Sequence, residues 1–119
     1  MTIYALSSGP GIAGVAVVRV SGKETSKVIK LITNDELPTP RVATLRKINN
    51  INTNELIDEG LILWFPGPQS YTGEDLAEFH VHGSRAVVAA LHSSICTGLT
   101  RRMQQGHCSF PSCAFMFDT

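Results

Sequence analysis

Residues 7–22 read SSGPGIAGVAVVRVSG, in which Gly9, Gly11 and Gly14 take the spacing G-x-G-x-x-G. Glycines at this spacing cradle a pyrophosphate when they lie between a strand and a helix, because the helix N-terminus then aims free N–H groups and a positive dipole end at the phosphates. Here the loop leads into VAVVRV, a β-branched run with strand character. The spacing therefore reads as a glycine-rich turn between two strands and not as a dinucleotide site. No G-x-x-x-x-G-K-[ST] stretch occurs either, so no GTP site is expected in this chain.

A second candidate is LAEFHVH, residues 76–82. Its alternation places Ala77, Phe79 and Val81 on one strand face and Glu78, His80 and His82 on the other. Glu78 is either a solvated charge of that face or an acceptor for a ligand, and Arg19 in VVRVSG is either a structural ion-pair partner or a binder of carboxylate. The H-x-H pair has half the donor set of a metal site but no third ligand, so His80 and His82 read as sheet-surface or interface histidines and no metal is expected. Pro66-Gly67-Pro68-Gln69-Ser70 cannot be regular structure and delivers the chain to Thr72, Gly73, Glu74 and Asp75, which form either a functional rim or a capped tight turn. Cys108 and Cys113 beside His107 lack the second ligand pair of a zinc site. With Cys96 they make an odd count, and no secretory signal precedes them, so they read as thiols.

These groups need elements to hold them. Ile3 and Ala5 mark a short opening strand, and residues 15–20 a buried one. Ser21 and Glu24 have the spacing of a capping box, which predicts a helix over about 22–33 with Val28, Ile29 and Ile32 inward and Lys23, Lys27 and Lys30 toward water. Leu37-Pro38-Thr39-Pro40 is a connector. Residues 42–48 and 61–65 read as a hairpin around a polar turn. Ser84 is placed to cap a second helix carrying Val87, Val88, Leu91 and Ile95, and after Thr97 neither period continues. The order strand, strand, helix, hairpin, strand, helix predicts an α/β (α+β) fold, a mixed β-sheet with two main helices.

Composition bounds the partners. A chain of 119 residues fits one small domain, and 43% apolar against 17% charged residues is enough for a buried core. Zero formal net charge excludes a cationic footprint for non-specific nucleic-acid or anionic-membrane binding. Apolar runs fall well short of the roughly 18 to 20 residues of a membrane span, so no membrane partner is expected. Neither a signal peptide nor a presequence precedes the first strand, which makes any organelle address missing or cleaved.

Taken in order, T-I-Y-A-L-S-S-G, G-V-A-V-V-R-V-S-G, L-W-F-P-G-P-Q-S-Y-T-G-E-D and E-F-H-V-H-G-S closely resemble the N-terminal domain of the MnmE/TrmE family of tRNA-modification GTPases. The resemblance runs from Thr2 to Ile95. It implies a tetrahydrofolate-binding domain akin to that of glycine-cleavage T-protein, dimerising so that a reduced folate of the 5-formyl- or methylene-tetrahydrofolate type sits near the interface. It further implies a role in adding an aminomethyl-type group at C5 of the wobble uridine of tRNA, with an MnmG-type flavoprotein as partner. By motif position the folate contacts fall on Arg19 and Glu78, and Thr72, Gly73, Glu74 and Asp75 shape the rim. E-F-H-V-H-G resembles mitochondrial and alphaproteobacterial members, which sets a mitochondrial location as the expectation and a bacterial cytoplasm as its alternative.

Past the second helix the family continues with G-L-R-x-A-x-P-G-E-F-T-like and N-x-K-[LM]-D-L-like stretches, the latter with a further folate-contacting lysine, then helical and GTPase domains. Residues 98–119 match none of these. The expected division is a folate-binding and dimerisation domain over 1–97 and a poorly ordered tail over 98–119, foreign to the family as a shifted frame or misjoined exon would be. Such a chain is expected at most to bind folate and not to hydrolyse GTP. The alternatives are a truncated interaction module that pairs with a full-length member, or a non-functional fragment.

Overall fold

The computed structural model describes residues 3–6, 14–70, 72–103 and 115–117, with side chains over 14–70 and 72–99. Strands β1 (Ile3–Leu6) and β2 (Val15–Ser21) precede helix α1 (Thr25–Thr33); β3 (Thr44–Asn49), β4 (Leu56–Phe65) and β5 (Leu76–His82) precede helix α2 (Arg85–Met103); β6 is Phe115–Phe117. The strands form one sheet in the order β3-β4-β5-β2-β1-β6. Its pairs are antiparallel apart from the parallel β1 and β6. This is the mixed-sheet α/β fold that the order of elements predicts. The glycine loop itself, residues 7–13, lies outside the described residues. The next element after that loop is β2, which pairs back onto β1 with Leu6 opposite Val18, so a strand stands where a dinucleotide site needs a helix.

Alternation in β2 and β5 sends Ala16, Val18, Val20, Ala77, Phe79 and Val81 to one face, where they pack against Val28, Ile29 and Ile32 of α1 and Leu91, Ile95 and Leu99 of α2. Phe79 is fully buried at the centre of this core, and removing such a side chain from water contributes about 1.5–3 kcal/mol. Among the described residues both helices cover this face, which leaves the opposite face of the sheet open.

Two helix boundaries differ from the sequence reading. Ser21 does not cap α1: the β2–β5 ladder continues through Ser21 opposite Leu76, which keeps Ser21 extended. The N-cap is Glu24, without a side-chain capping bond, and the Thr25 N–H instead donates to the Gly22 carbonyl at 3.2 Å. At the other end Asn34 takes a left-handed conformation and donates its N–H to the Lys30 carbonyl at 2.8 Å. Helix α2 begins as expected, with the Val87 N–H donating to Ser84 Oγ at 3.1 Å. It does not stop at Thr97 but runs to Met103, and Leu99 is 2% exposed. Gly98, just past the end of the periodic pattern, serves close packing, because a Cβ there would lie 3.2 Å from Ile51 Cδ1 and 3.8 Å from Val28 Cγ2. The same contact places Ser94 Oγ 3.2 Å from the Ile51 N–H that it accepts.

Of the tail expected to be poorly ordered, residues 98–103 continue α2 and 115–117 form β6 beside β1. The rest of that expectation falls outside the described residues. Cys96 is disulfide-bonded, which corrects the reading of three thiols: an odd count forbids pairing all three cysteines but not a single bridge. Strand β4 begins at Leu56, ahead of the apolar run at 61–65, because its polar start Asp58-Glu59-Gly60 is carried by pairing with β3, where Arg46 faces Gly60.

Gly60 of β4 lies against the His80 backbone of β5. A Cβ at this position would drive into the His80 carbonyl oxygen, a backbone atom with little room to yield. Gly60→Ala is expected to destabilise the fold by about 1–3 kcal/mol, seen as a lower urea midpoint. An unchanged midpoint would show that β4 and β5 separate there without cost.

Candidate functional site

On the open face the β2–β5 register sets Arg19 directly opposite Glu78. Arg19 Nε donates to Glu78 Oε2 at 2.9 Å, and His80 Nε2 lies 3.0 Å from Glu78 Oε1. An ionised carboxylate only accepts, so the imidazole carries its proton on Nε2 in this contact. The Glu78 side chain is 17% exposed, less than Arg19 at 39% or His80 at 29%. Burial alone would push its carboxyl up, but the hydrogen bonds from His80 and Arg19 and the Arg19 charge outweigh it and hold the group below the usual glutamate value. Cross-strand neighbours are apolar: Leu63 faces Glu78, and His80 is flanked by Val17 and Leu61. The trio is a polar line with apolar neighbours, Val15 and Leu61 exposed beside it.

The rim loop reaches this face through Thr72, whose Oγ1 is 2.8 Å from Ser21 Oγ, two residues along β2 from Arg19. Its own geometry is that of a capped turn. The Gly73 N–H donates to the Ser70 carbonyl at 3.2 Å, the Ser70 hydroxyl donates to the Glu74 carbonyl, and the Glu74 N–H donates to Thr72 Oγ1 at 3.4 Å. Asp75 faces inward: Oδ1 accepts the Gly67 N–H at 2.9 Å, and its carbonyl accepts the Gly22 N–H at 2.9 Å. Arg41 braces the loop by donating from Nη2 to the Gln69 carbonyl at 2.7 Å. Thr72 thus stands at the border of the Arg19–Glu78 pair, whereas Asp75 and Gly73 act in the folding of the loop.

Two participants escape the sequence reading. His80 reads there as a surface histidine, although its position two residues from Glu78 on the same strand face is the signal that the two meet. Arg41 carries no signal, since it sits in an irregular connector distant in sequence from Gln69. His82 departs from the site: its Nδ1 lies 2.9 Å from Asp58 Oδ1, and its side chain is 75% exposed. Among the described residues no cluster of three or more His, Cys, Asp or Glu is arranged to hold a metal ion.

Three ionisations tie this arrangement to pH. Glu78 lies below its ordinary 4.5. Burial would raise Asp58, but bonds from His82 and Glu59 leave it below 3.8. Burial lowers His92 below 6.5. In each case the folded value is depressed, so the stability is complete above the unfolded value and is lost as pH falls through the folded one. The urea midpoint should therefore start to fall below pH 6.5 with His92. It should steepen below pH 4.5, and Glu78→Gln should blunt that second limb. A midpoint that stays constant into acid would contradict the assignment.

Comparison with known proteins places the chain. The family model described as GTP-binding protein TrmE N-terminus matches residues 2–117. The tRNA modification GTPase MnmE of Pelagibacter ubique is 78% identical over 95 residues, covering 80% of this chain and 21% of that protein. The mitochondrial 5-taurinomethyluridine-[tRNA] synthase subunit GTPB3 of Danio rerio is 56% identical over 90 residues, covering 76% of this chain and 18% of that protein. Its Homo sapiens counterpart is 50% identical over 91 residues, again covering 76% of this chain and 18% of that protein. The chain thus spans about one-fifth of the length of these curated relatives. With that match along nearly the whole chain and a mixed sheet bearing the expected motifs, the protein belongs to the TrmE N-terminal family.

Proposed function

We propose that this chain holds a reduced folate on the open face of its sheet and, as a dimerising N-terminal domain, serves the C5 modification of wobble uridine in tRNA. The observation that carries the reading is the Arg19–Glu78–His80 line, a part-buried carboxylate held ionised and oriented by donors on both of its oxygens. Such a carboxylate suits the paired N–H donors on the aminopyrimidine edge of a folate ring, and the Arg19 guanidinium suits a ligand carboxylate or ring oxygen. Thr72, Gly73, Glu74 and Asp75 border the ligand, with Thr72 nearest. A folate of the 5-formyl- or methylene-tetrahydrofolate type would supply the one-carbon unit. The relatives' names support the tRNA reading, since both MnmE and GTPB3 are named for tRNA modification.

Folate binding and dimerisation are assigned to residues 1–97. The division at position 97 follows the quoted motifs, although α2 runs through it and the family match extends to residue 117. The partners are a second copy or a full-length family member, with an MnmG-type flavoprotein and tRNA engaged through regions of the longer relatives that this chain does not match. No helix among the described residues is long and apolar enough to cross a membrane. Both bacterial and mitochondrial proteins stand among the relatives, and the compartment follows that descent. The mitochondrial relatives support the mitochondrial reading and the bacterial ones its alternative, a bacterial cytoplasm.

An interaction module is the second reading, favoured by Val15, Leu45 and Leu61, which expose apolar surface on the same open face. Titration with 5-formyltetrahydrofolate separates the two. Wild type should give a saturable signal that Glu78→Ala weakens at least about tenfold, as expected for removing a charged hydrogen-bond acceptor. Equal titrations of both proteins would remove the folate reading and leave the interaction module, for which Leu61→Glu should abolish self-association in sedimentation.

A further inference from the structure

We infer that His80 is a positioning residue: its Nε2–H fixes the plane of the Glu78 carboxylate and thereby sets which ligand donors that carboxylate accepts. The ligand side of this inference rests on the folate reading, whereas the contact itself does not. A single bond from Arg19 Nε to Oε2 leaves a carboxylate free to turn about the end of its side chain. A second donor on Oε1, 3.0 Å away on the next same-face residue of a sheet strand, removes that freedom. The imidazole is itself well held, since it sits between Val17 and Leu61 on the neighbouring strands and is 29% exposed. His82 has the same residue type and face parity two positions on, yet it turns to Asp58 and is 75% exposed. The H-x-H pair is therefore divided, with one histidine committed to Glu78 and the other to Asp58 of β4.

The chemical consequence comes from lone pairs. Each carboxylate oxygen has two acceptor directions. In this inference Arg19 takes the outer direction on Oε2 and His80 the outer one on Oε1, so that the two inner directions, side by side, match two parallel donors such as a ring N–H and an adjacent exocyclic amino group. A ligand lacking that amino group uses only one of them. His80 thus favours 2-amino-pyrimidinone ligands over their desamino counterparts without touching either.

The test uses the full 119-residue chain with His80→Phe, which keeps a flat ring but no donor, and His80→Gln, whose Nε2 sits the same number of bonds from the backbone and always carries hydrogen. The first readout needs no ligand: the carboxyl-carbon NMR titration of Glu78 should shift upward in His80→Phe and return toward wild type in His80→Gln. The second is affinity for 5-formyltetrahydrofolate and for its 2-desamino analogue. His80→Phe should weaken the amino ligand by about tenfold while leaving the desamino ligand nearly unchanged, and His80→Gln should restore the difference. An unaltered Glu78 titration in His80→Phe overturns the positioning role. So does wild-type discrimination between the two ligands in a folded His80→Phe protein. If wild type takes up no folate at all, the folate reading is what fails, and the Glu78 titration alone decides the role of His80. Should His80→Phe lose its folded amide spectrum, His80→Asn, with its N–H too short to reach Oε1, takes its place.

Discussion

The ladder between β2 and β5 is the interaction on which the rest of the molecule depends. It pairs Val15 with His82 at one end and Ser21 with Leu76 at the other, without interruption. Because side chains alternate strictly along both strands, this one register places Val18, Val20, Ala77 and Phe79 under the helices and Arg19, Glu78 and His80 on the open face. A slip by one residue would exchange the two sets, driving a glutamate and an arginine into the core and Phe79 into water. Core and site are therefore specified by the same pairing, and neither can be altered through the backbone without the other.

The open face meets a competing demand. A carboxylate set beside Leu63 and part-buried loses hydration, which by itself favours its neutral form. A donor on each oxygen resolves the conflict, so that Glu78 ends below its usual value despite the burial. Arg19 supplies charge and His80 supplies geometry, and the two differ in exposure accordingly, with the arginine the more solvated. Holding the pair on paired strands gives it a precision that a loop would not. The rim loop contributes to the site mainly at Thr72, whose bond to Ser21 ties it to the strand carrying Arg19.

Legibility in the sequence tracks periodicity and fails where a residue has a tertiary purpose. Strand β5 is readable to the residue, since LAEFHVH alternates from end to end. The inward set of α1 is readable from Val28, Ile29 and Ile32, but its start is not, because Ser21 looks like a cap and is recruited into the ladder instead. Helix α2 runs on past Thr97, where periodicity ends, and Gly98 is a contact point there. Arg19 and Glu78 emerge from motif resemblance rather than from pattern, and their direct pairing could not be deduced without knowing that β5 inserts beside β2 and not beside β3. His80 is hidden for a different reason: a lone histidine on a strand face usually does nothing, and only its partner's identity changes that.

The site and the C-terminal turns of α2 lie on opposite faces of the sheet. Arg19, Glu78, His80 and Thr72 are held by β2, β5 and the rim loop, and the bonds among them and to Ser21 lie on the open face. The extension of α2 beyond Thr97 packs on the other side of the sheet, where Gly98 meets Val28, Leu31 and Ile51. The sheet lies between them. Residues 98–103 thus act on the helix layer, whereas residues 115–117 join the sheet as β6 beside β1, the strand that pairs with β2 across from Arg19.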